Sequence, residues 1–159
     1  MTATKAIPVK RLLSAQAYQL IDREIAKYPA DQKQSAVMGA LTIAQDEVGW
    51  VSPAVIEDVA DYLSMPPIAV YEVATFYNMY NLEEVGTWKI GVCTCLPCAL
   101  REGDKAGEYL KQKLGIDFGE TTPDGRFTLI ETECLGSCAD APICLINDKR
   151  VESFMDNAK

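Results

Sequence analysis

Apolar positions in the first half of the chain recur at helical spacing. Over residues 14–28, Tyr18, Ile21, Ile25 and Tyr28 line one face, Ser14 stands where an N-cap belongs and Pro29 marks a stop. A second helix is predicted over 31–48, with Val37, Leu41, Ala44 and Val48 on one face and Gly49 as the C-terminal signal. Ser52-Pro53 pairs a cap with a first-turn proline and opens a third helix, whose Ile56, Val59, Ala60 and Leu63 face inward. Met65-Pro66-Pro67 begins a fourth, running to about Tyr77. Four short amphipathic helices joined by brief connections predict a helical bundle, because each apolar stripe must bury itself against another.

The period changes after Gly86. Residues 87–93 alternate and end at a cysteine, 100–114 return to helical spacing, and 127–133 form a strand that runs into another cysteine. A further strand is expected over 143–147, then a turn at Asp148-Lys149 and a last strand near Val151. Strand, helix, strand, strand is the order of a small α/β module with helices on a mixed sheet. The expected organisation is therefore a helical bundle over 1–84 followed by an α/β domain over 85–159.

With 159 residues, the chain has room for a compact core and one appendage. Its 48% apolar and 24% charged residues are ordinary for a globular protein. The longest apolar runs are far below the roughly 20 residues that cross a bilayer, and residues 1–10 lack the apolar core of a signal peptide, so a cytoplasmic location without membrane insertion is expected. A formal charge of −8 with no basic cluster argues against nucleic-acid binding. Histidine is absent, which removes mixed Cys/His zinc sites, Rieske-type clusters and imidazole bases.

Cysteine is the remaining chemical resource. Six cysteines in a chain without an export signal read as thiolates for metal or redox work rather than as a disulfide framework. Cys93 and Cys98 form C-x4-C, Cys134 and Cys138 form C-x3-C, and each pair begins where a strand gives way to a loop. Four converging thiolates suit a 2Fe-2S cluster, since soft sulfur matches iron and short loops can bend around two sulfide-bridged ions. Gly136 allows a positive φ and brings backbone amides close to sulfur. With two ferric ions, two sulfides and four thiolates such a site is already anionic, so a potential on the order of several hundred millivolts below zero follows.

Two rival readings stay open on the residues alone. A structural zinc site also takes four thiolates, although zinc more often sits between C-x2-C knuckles. Cys95-Leu-Pro-Cys98 is itself a C-x2-C ahead of a helix, the arrangement of a thiol-disulfide oxidoreductase, which predicts a reactive Cys95. That second reading leaves Cys93, Cys134 and Cys138 without roles. In the cluster reading Cys95 and Cys144 are left over as small buried apolar side chains.

Several stretches of the chain carry a resemblance. Ala74-Thr-Phe-Tyr-Asn78, Cys93-Thr-Cys-Leu-Pro-Cys98-Ala-Leu-Arg101, Leu114-Gly-Ile116, Glu120-Thr-Thr-Pro-Asp-Gly125, Phe127-Thr-Leu129 and Glu133-Cys-Leu-Gly-Ser-Cys138 resemble the E-subunit family of bacterial NADH-quinone oxidoreductase (complex I), over roughly residues 14–155. The resemblance implies an N-terminal helical bundle followed by a thioredoxin-like ferredoxin domain. It implies one 2Fe-2S cluster on Cys93, Cys98, Cys134 and Cys138, and a flavin-bearing, NADH-oxidising partner, the F subunit, beside the rest of the peripheral arm. FMN and NADH would then belong to that partner, since no G-x-G-x-x-G follows a strand here. The chain would act as a one-electron carrier inside an oxidoreductase, peripheral on the cytoplasmic side of the inner membrane and inactive by itself. The homologous diaphorase component of a soluble NAD-linked hydrogenase or formate dehydrogenase shares all of this local chemistry. Two departures stand out: Cys95, where relatives usually carry another residue, and the end at Lys159, where members typically continue into one more helix. Trp50, Tyr71, Phe76, Tyr77 and Tyr80 are candidate aromatic anchors for docking, with core packing as the competing account.

Overall fold

The computed structural model describes residues 11–156, which fall into two compact units parted between Glu84 and Val85. The expectations for residues 1–10 and for the end at Lys159 lie outside the described residues. Among these, no helix is long and apolar enough to cross a membrane.

In the first unit α1 spans Ala15–Ile25. The Ser14 hydroxyl oxygen accepts the Ala17 N–H at 3.2 Å, while the Ser14 N–H and hydroxyl both donate to the Glu47 carboxylate, at 2.7 and 2.9 Å. The helix stops short of Tyr28. Its end tightens into three-residue bonds, from the Lys27 N–H to the Glu24 carbonyl and from the Tyr28 N–H to the Ile25 carbonyl, which leaves Tyr28 exposed. The segment expected as one helix over 31–48 begins as a 3-10 turn, Lys33–Ala36, before α2, Val37–Val48. Neither start has a side-chain cap, so the tighter turn takes up the free N–H groups. Val48 is exposed rather than inward: Gly49, at φ 95°, reverses the chain just after it, and Val51 fills the core instead.

α3, Pro53–Leu63, starts as its sequence dictates, with Ser52 Oγ accepting the Val55 N–H at 3.2 Å and Pro53 in the first turn. α4 is Pro67–Phe76. One continuous core joins Ile21, Leu41, Val55, Val59, Leu63 and Val70. A fully buried carboxylate, Asp58, lies beside it. Arg11 pairs with Asp58 at 3.1 Å, the Leu12 N–H donates to it at 3.3 Å, and so does the Tyr18 hydroxyl. Burial of this charge is tolerated because its lone pairs are occupied.

The second unit is an α/β fold on a five-stranded mixed sheet of order β2-β3-β1-β4-β5. β1, Trp88–Cys93, pairs in parallel with β3, Phe127–Thr132, and antiparallel with β4, Cys144–Ile146. β2, Glu120–Thr121, and β5, Arg150–Glu152, are the edges. Parallel neighbours need a crossover, supplied by α5, Leu96–Ala99, and α6, Gly103–Leu114. Leu110, Leu114 and Phe118 pack over Val92, Ile116 and Leu129. Sequence periodicity missed β2, which is only two residues long.

Candidate metal centre

Parallel pairing sets the site. Cys93 ends β1 and lies opposite Thr132, which ends β3, so the two cysteine loops leave the sheet from neighbouring strand ends. In the first loop Pro97 fits the opening turn of α5 and brings Cys98 inward; Cys93 and Cys98 are each 1% exposed. The helix expected over 100–114 starts only at Gly103, which packs directly against Cys98. A Cβ on Gly103 would stand 3.0 Å from the Cys98 carbonyl carbon and oxygen, and Glu102 turns the chain at φ 68°. The second loop turns at Gly136, φ 79°, as expected of that glycine. It continues through a 3-10 turn, Cys138–Asp140, and a cis Ala141-Pro142 peptide back into β4.

The two loops meet at sulfur. The Cys134 and Cys138 Sγ atoms are 3.9 Å apart, and the Cys93 and Cys98 thiols hydrogen-bond one another. A backbone N–H from each loop, of Cys95 and of Leu135, reaches the Cys93 sulfur. Burial opposes a thiolate at Cys93, but these N–H groups and the neighbouring thiols outweigh it and its pKa lies below the ordinary value. Burial and the hydrogen bond to Cys93 push Cys98 up, while Cys134 and then burial push Cys138 up. A bound cation would favour the thiolate at Cys98 and Cys138 against these effects.

Two thiolates on one tetrahedral ion at metal–sulfur distances near 2.3 Å lie about 3.8 Å apart, close to the 3.9 Å of Cys134 and Cys138. Among the described residues no three Cys, Asp or Glu side chains gather tightly enough for a single ion. Two pairs of thiols, one on each loop, match the two cysteine ligands that each iron of an all-cysteine 2Fe-2S group takes. With four sulfurs, two pairs and amide donors on sulfur, the residues present fit a 2Fe-2S group.

Cys95 does not behave as the thiol-exchange reading requires. Its Sγ donates to Glu133 Oε2 at 3.4 Å, and that carboxylate, with some burial, pushes its pKa to about 11, so the reactive thiolate is scarce. Cys144 is buried in β4, and burial raises its thiol to about 11. Of the aromatic residues singled out, Phe76 is 79% exposed and meets Tyr77 edge to face at 4.9 Å, and Tyr71 is exposed as well. Tyr80 belongs to the core, with its hydroxyl donating to the Met38 carbonyl at 3.0 Å. Gly136 predicts amides near sulfur in the second loop, and the Leu135 N–H is one; Glu133 and the Cys95 amide escaped the sequence reading. An acidic residue beside a cysteine gives no sign of which thiol it will meet, and in the first loop no glycine marks the Cys95 amide.

Comparison with known proteins bears on the same residues. A family model for thioredoxin-like [2Fe-2S] ferredoxin matches residues 21–158. The chain is 48% identical over 136 residues to the E subunit of NADH-quinone oxidoreductase from Rickettsia conorii, covering 85% of this chain and 81% of that protein. It is 43% identical over 135 residues to the mitochondrial NADH dehydrogenase [ubiquinone] flavoprotein 2 of Dictyostelium discoideum, covering 84% of this chain and 55% of the relative. A solved structure of an NAD+-reducing [NiFe]-hydrogenase in the air-oxidized state superposes with a TM-score of 0.69 at 21% identity, over 82% of this chain and 22% of that one. This chain thus spans about a fifth of the hydrogenase polypeptide, and the likeness is one of fold. Together the family match and the extent of identity establish that the chain belongs to the thioredoxin-like [2Fe-2S] ferredoxin family, alongside the E subunits of NADH-quinone oxidoreductase.

Proposed function

We propose that this chain is the one-electron carrier subunit of an NADH:quinone oxidoreductase, holding one 2Fe-2S cluster on Cys93, Cys98, Cys134 and Cys138. The observation that carries the reading is one thiol pair on each of two loops, Cys93 with Cys98 and Cys134 with Cys138, and the Leu135 N–H of one loop on the Cys93 sulfur of the other. When bound, the cluster supplies reversible one-electron chemistry at low potential. The chain's own atoms do the rest. Cys93 and Cys98, buried, hold the inner side of the site, while exposed Cys134 and Cys138 hold the outer side. The amides of Cys95 and Leu135 offset negative charge on Cys93.

In this reading the unit over 85–159 carries the cluster and the unit over 1–84 presents Tyr71, Phe76 and Tyr77 to neighbouring subunits. FMN and NADH sit on the flavin-bearing partner, the F subunit, with the cluster near the flavin, on the cytoplasmic side of the membrane. A diaphorase role in a soluble hydrogenase has only the likeness of fold behind it, whereas relatives near half identity are named for the quinone-linked enzyme.

The test is anaerobic iron and sulfide analysis with EPR before and after dithionite. Two irons, two sulfides and a reduced spin-half signal are expected, kept in Cys95→Ser and lost in the serine variants of Cys93, Cys98, Cys134 and Cys138. A colourless protein with one zinc would sink the assignment.

A further inference from the structure

One hydroxyl beside the site has no use within the protein. Among the described residues, Thr132 Oγ1 is the buried side-chain oxygen or nitrogen with no hydrogen-bond partner. Native interiors seldom leave such a group unpaired, so its partner is expected to come from something the polypeptide does not supply. The position of Thr132 indicates what that is. It is the last residue of β3 and lies opposite Cys93 in the parallel ladder, so the two side chains project from the same face, side by side. Two residues later the chain reaches Cys134. A Cβ on Gly91 would meet the Thr132 Cγ2 methyl at 2.7 Å, so the methyl lies over Gly91 and the tetrahedral Cβ turns the hydroxyl off it. The neighbouring threonine, Thr94, spends its hydroxyl on Glu131 Oε1 at 2.7 Å, which leaves both atoms engaged away from Thr132.

We propose that the Thr132 hydroxyl donates a hydrogen bond to sulfur at the Cys93 end of the bound cluster and is a positioning residue that raises its reduction potential. This rests on the cluster reading above. Sulfur is a weak acceptor in a neutral thiol and a better one in an anionic iron-sulfur group, so the bound group would supply the acceptor that no protein atom offers this hydroxyl. The bond strengthens as negative charge on sulfur grows, so it favours the reduced state. Gly91 has a part in this: any side chain there would displace the Thr132 methyl and with it the hydroxyl.

The experiment is a potentiometric EPR titration of the full chain, loaded with iron and sulfide, as wild type, Thr132→Val, Thr132→Ala and Thr132→Ser. Valine keeps the shape and removes the donor; alanine removes it without crowding should valine impair loading. At a fixed potential the reduced fraction relative to oxidised is expected to fall about tenfold in both, equivalent to about 59 mV for a one-electron couple. Serine is expected to restore the wild-type value. Pulsed EPR of the reduced protein exchanged into D2O adds a direct readout: beside the couplings of the Cys95 and Leu135 amides, which all variants keep, one further deuteron coupling is expected in wild type and Thr132→Ser and is lost in the valine and alanine variants. Loaded valine and alanine variants that titrate with wild type would overturn the role of Thr132 and leave the cluster reading intact. Wild-type chain that takes up no iron and sulfide would overturn both.

Discussion

In the helical unit, Ile21, Leu41, Val59, Leu63 and Val70 share one continuous core, and no residue of that core is proposed to carry chemistry. The sheet unit divides its apolar residues. Val92, Ile116 and Leu129 lie under α6, while Cys93, Cys98, Ala141 and Ile143 form a separate small cluster beside the loops. Half of the second cluster consists of proposed ligands. Hydrophobic burial can hold the helical unit without help, whereas the loop end of the sheet unit has less apolar surface and, with the proposed cluster bound, would rely on its thiols' ligand.

The largest expected effect follows directly. Stripping iron and sulfide under reducing conditions should leave amide protection in α2 and α3 unchanged and remove it over residues 94–102 and 133–143, because site formation and local folding share one free energy. Hydrogen exchange read residue by residue checks this. Equal loss of protection in both units would erase the contrast.

Next in size are core truncations. Leu41→Ala and Leu129→Ala each remove a fully buried leucine and should each cost roughly 2–5 kcal/mol. Denaturant melts should show the loss in both variants. Iron content should fall only in Leu129→Ala, since Leu129 lies on β3 in the same parallel ladder as the Cys93–Thr132 rung that launches both loops. A Leu41→Ala variant that lost iron as readily would show the two units to be less independent than their cores imply.

The contrast also governs what could be read without coordinates. Ser14, Ser52, Pro53, Pro67 and Gly49 mark helix ends through local chemistry that needs no distant partner, and those ends were legible. The strand, helix and cysteine order of the sheet unit was legible too, and with it the four thiols of the candidate centre. What failed depended on tertiary approach. The late start at Gly103 goes with the turn at Glu102 that seats Gly103 against Cys98, and the burial of Asp58 comes from Arg11, Leu12 and Tyr18 closing on it. At the centre, the sequence announces sulfur and its spacing. The amides of Cys95 and Leu135 and the orphan hydroxyl of Thr132 come from loop conformation and strand register.

The smallest expected effect is a pH dependence that separates the sheet from the loops. Cys144 lies on β4 opposite Val92 of β1, and burial holds its thiol pKa at about 11 against an ordinary 9.0. The folded chain therefore keeps this proton more tightly than the unfolded chain. Its contribution is complete below pH 9 and drains away as pH rises through 11, by up to about 3 kcal/mol once both states are ionised. Cys144→Ala removes that titration at the cost of a small cavity. Melts between pH 8 and 11, with Tyr62, whose pKa near 12 comes from burial and the Asp22 carboxylate, as a shared background in both proteins, should therefore fall more steeply for wild type than for Cys144→Ala. Parallel slopes would mean that β4 opens to water before the thiol ionises, and the sheet unit would then be loose well beyond the loops that carry the proposed ligands.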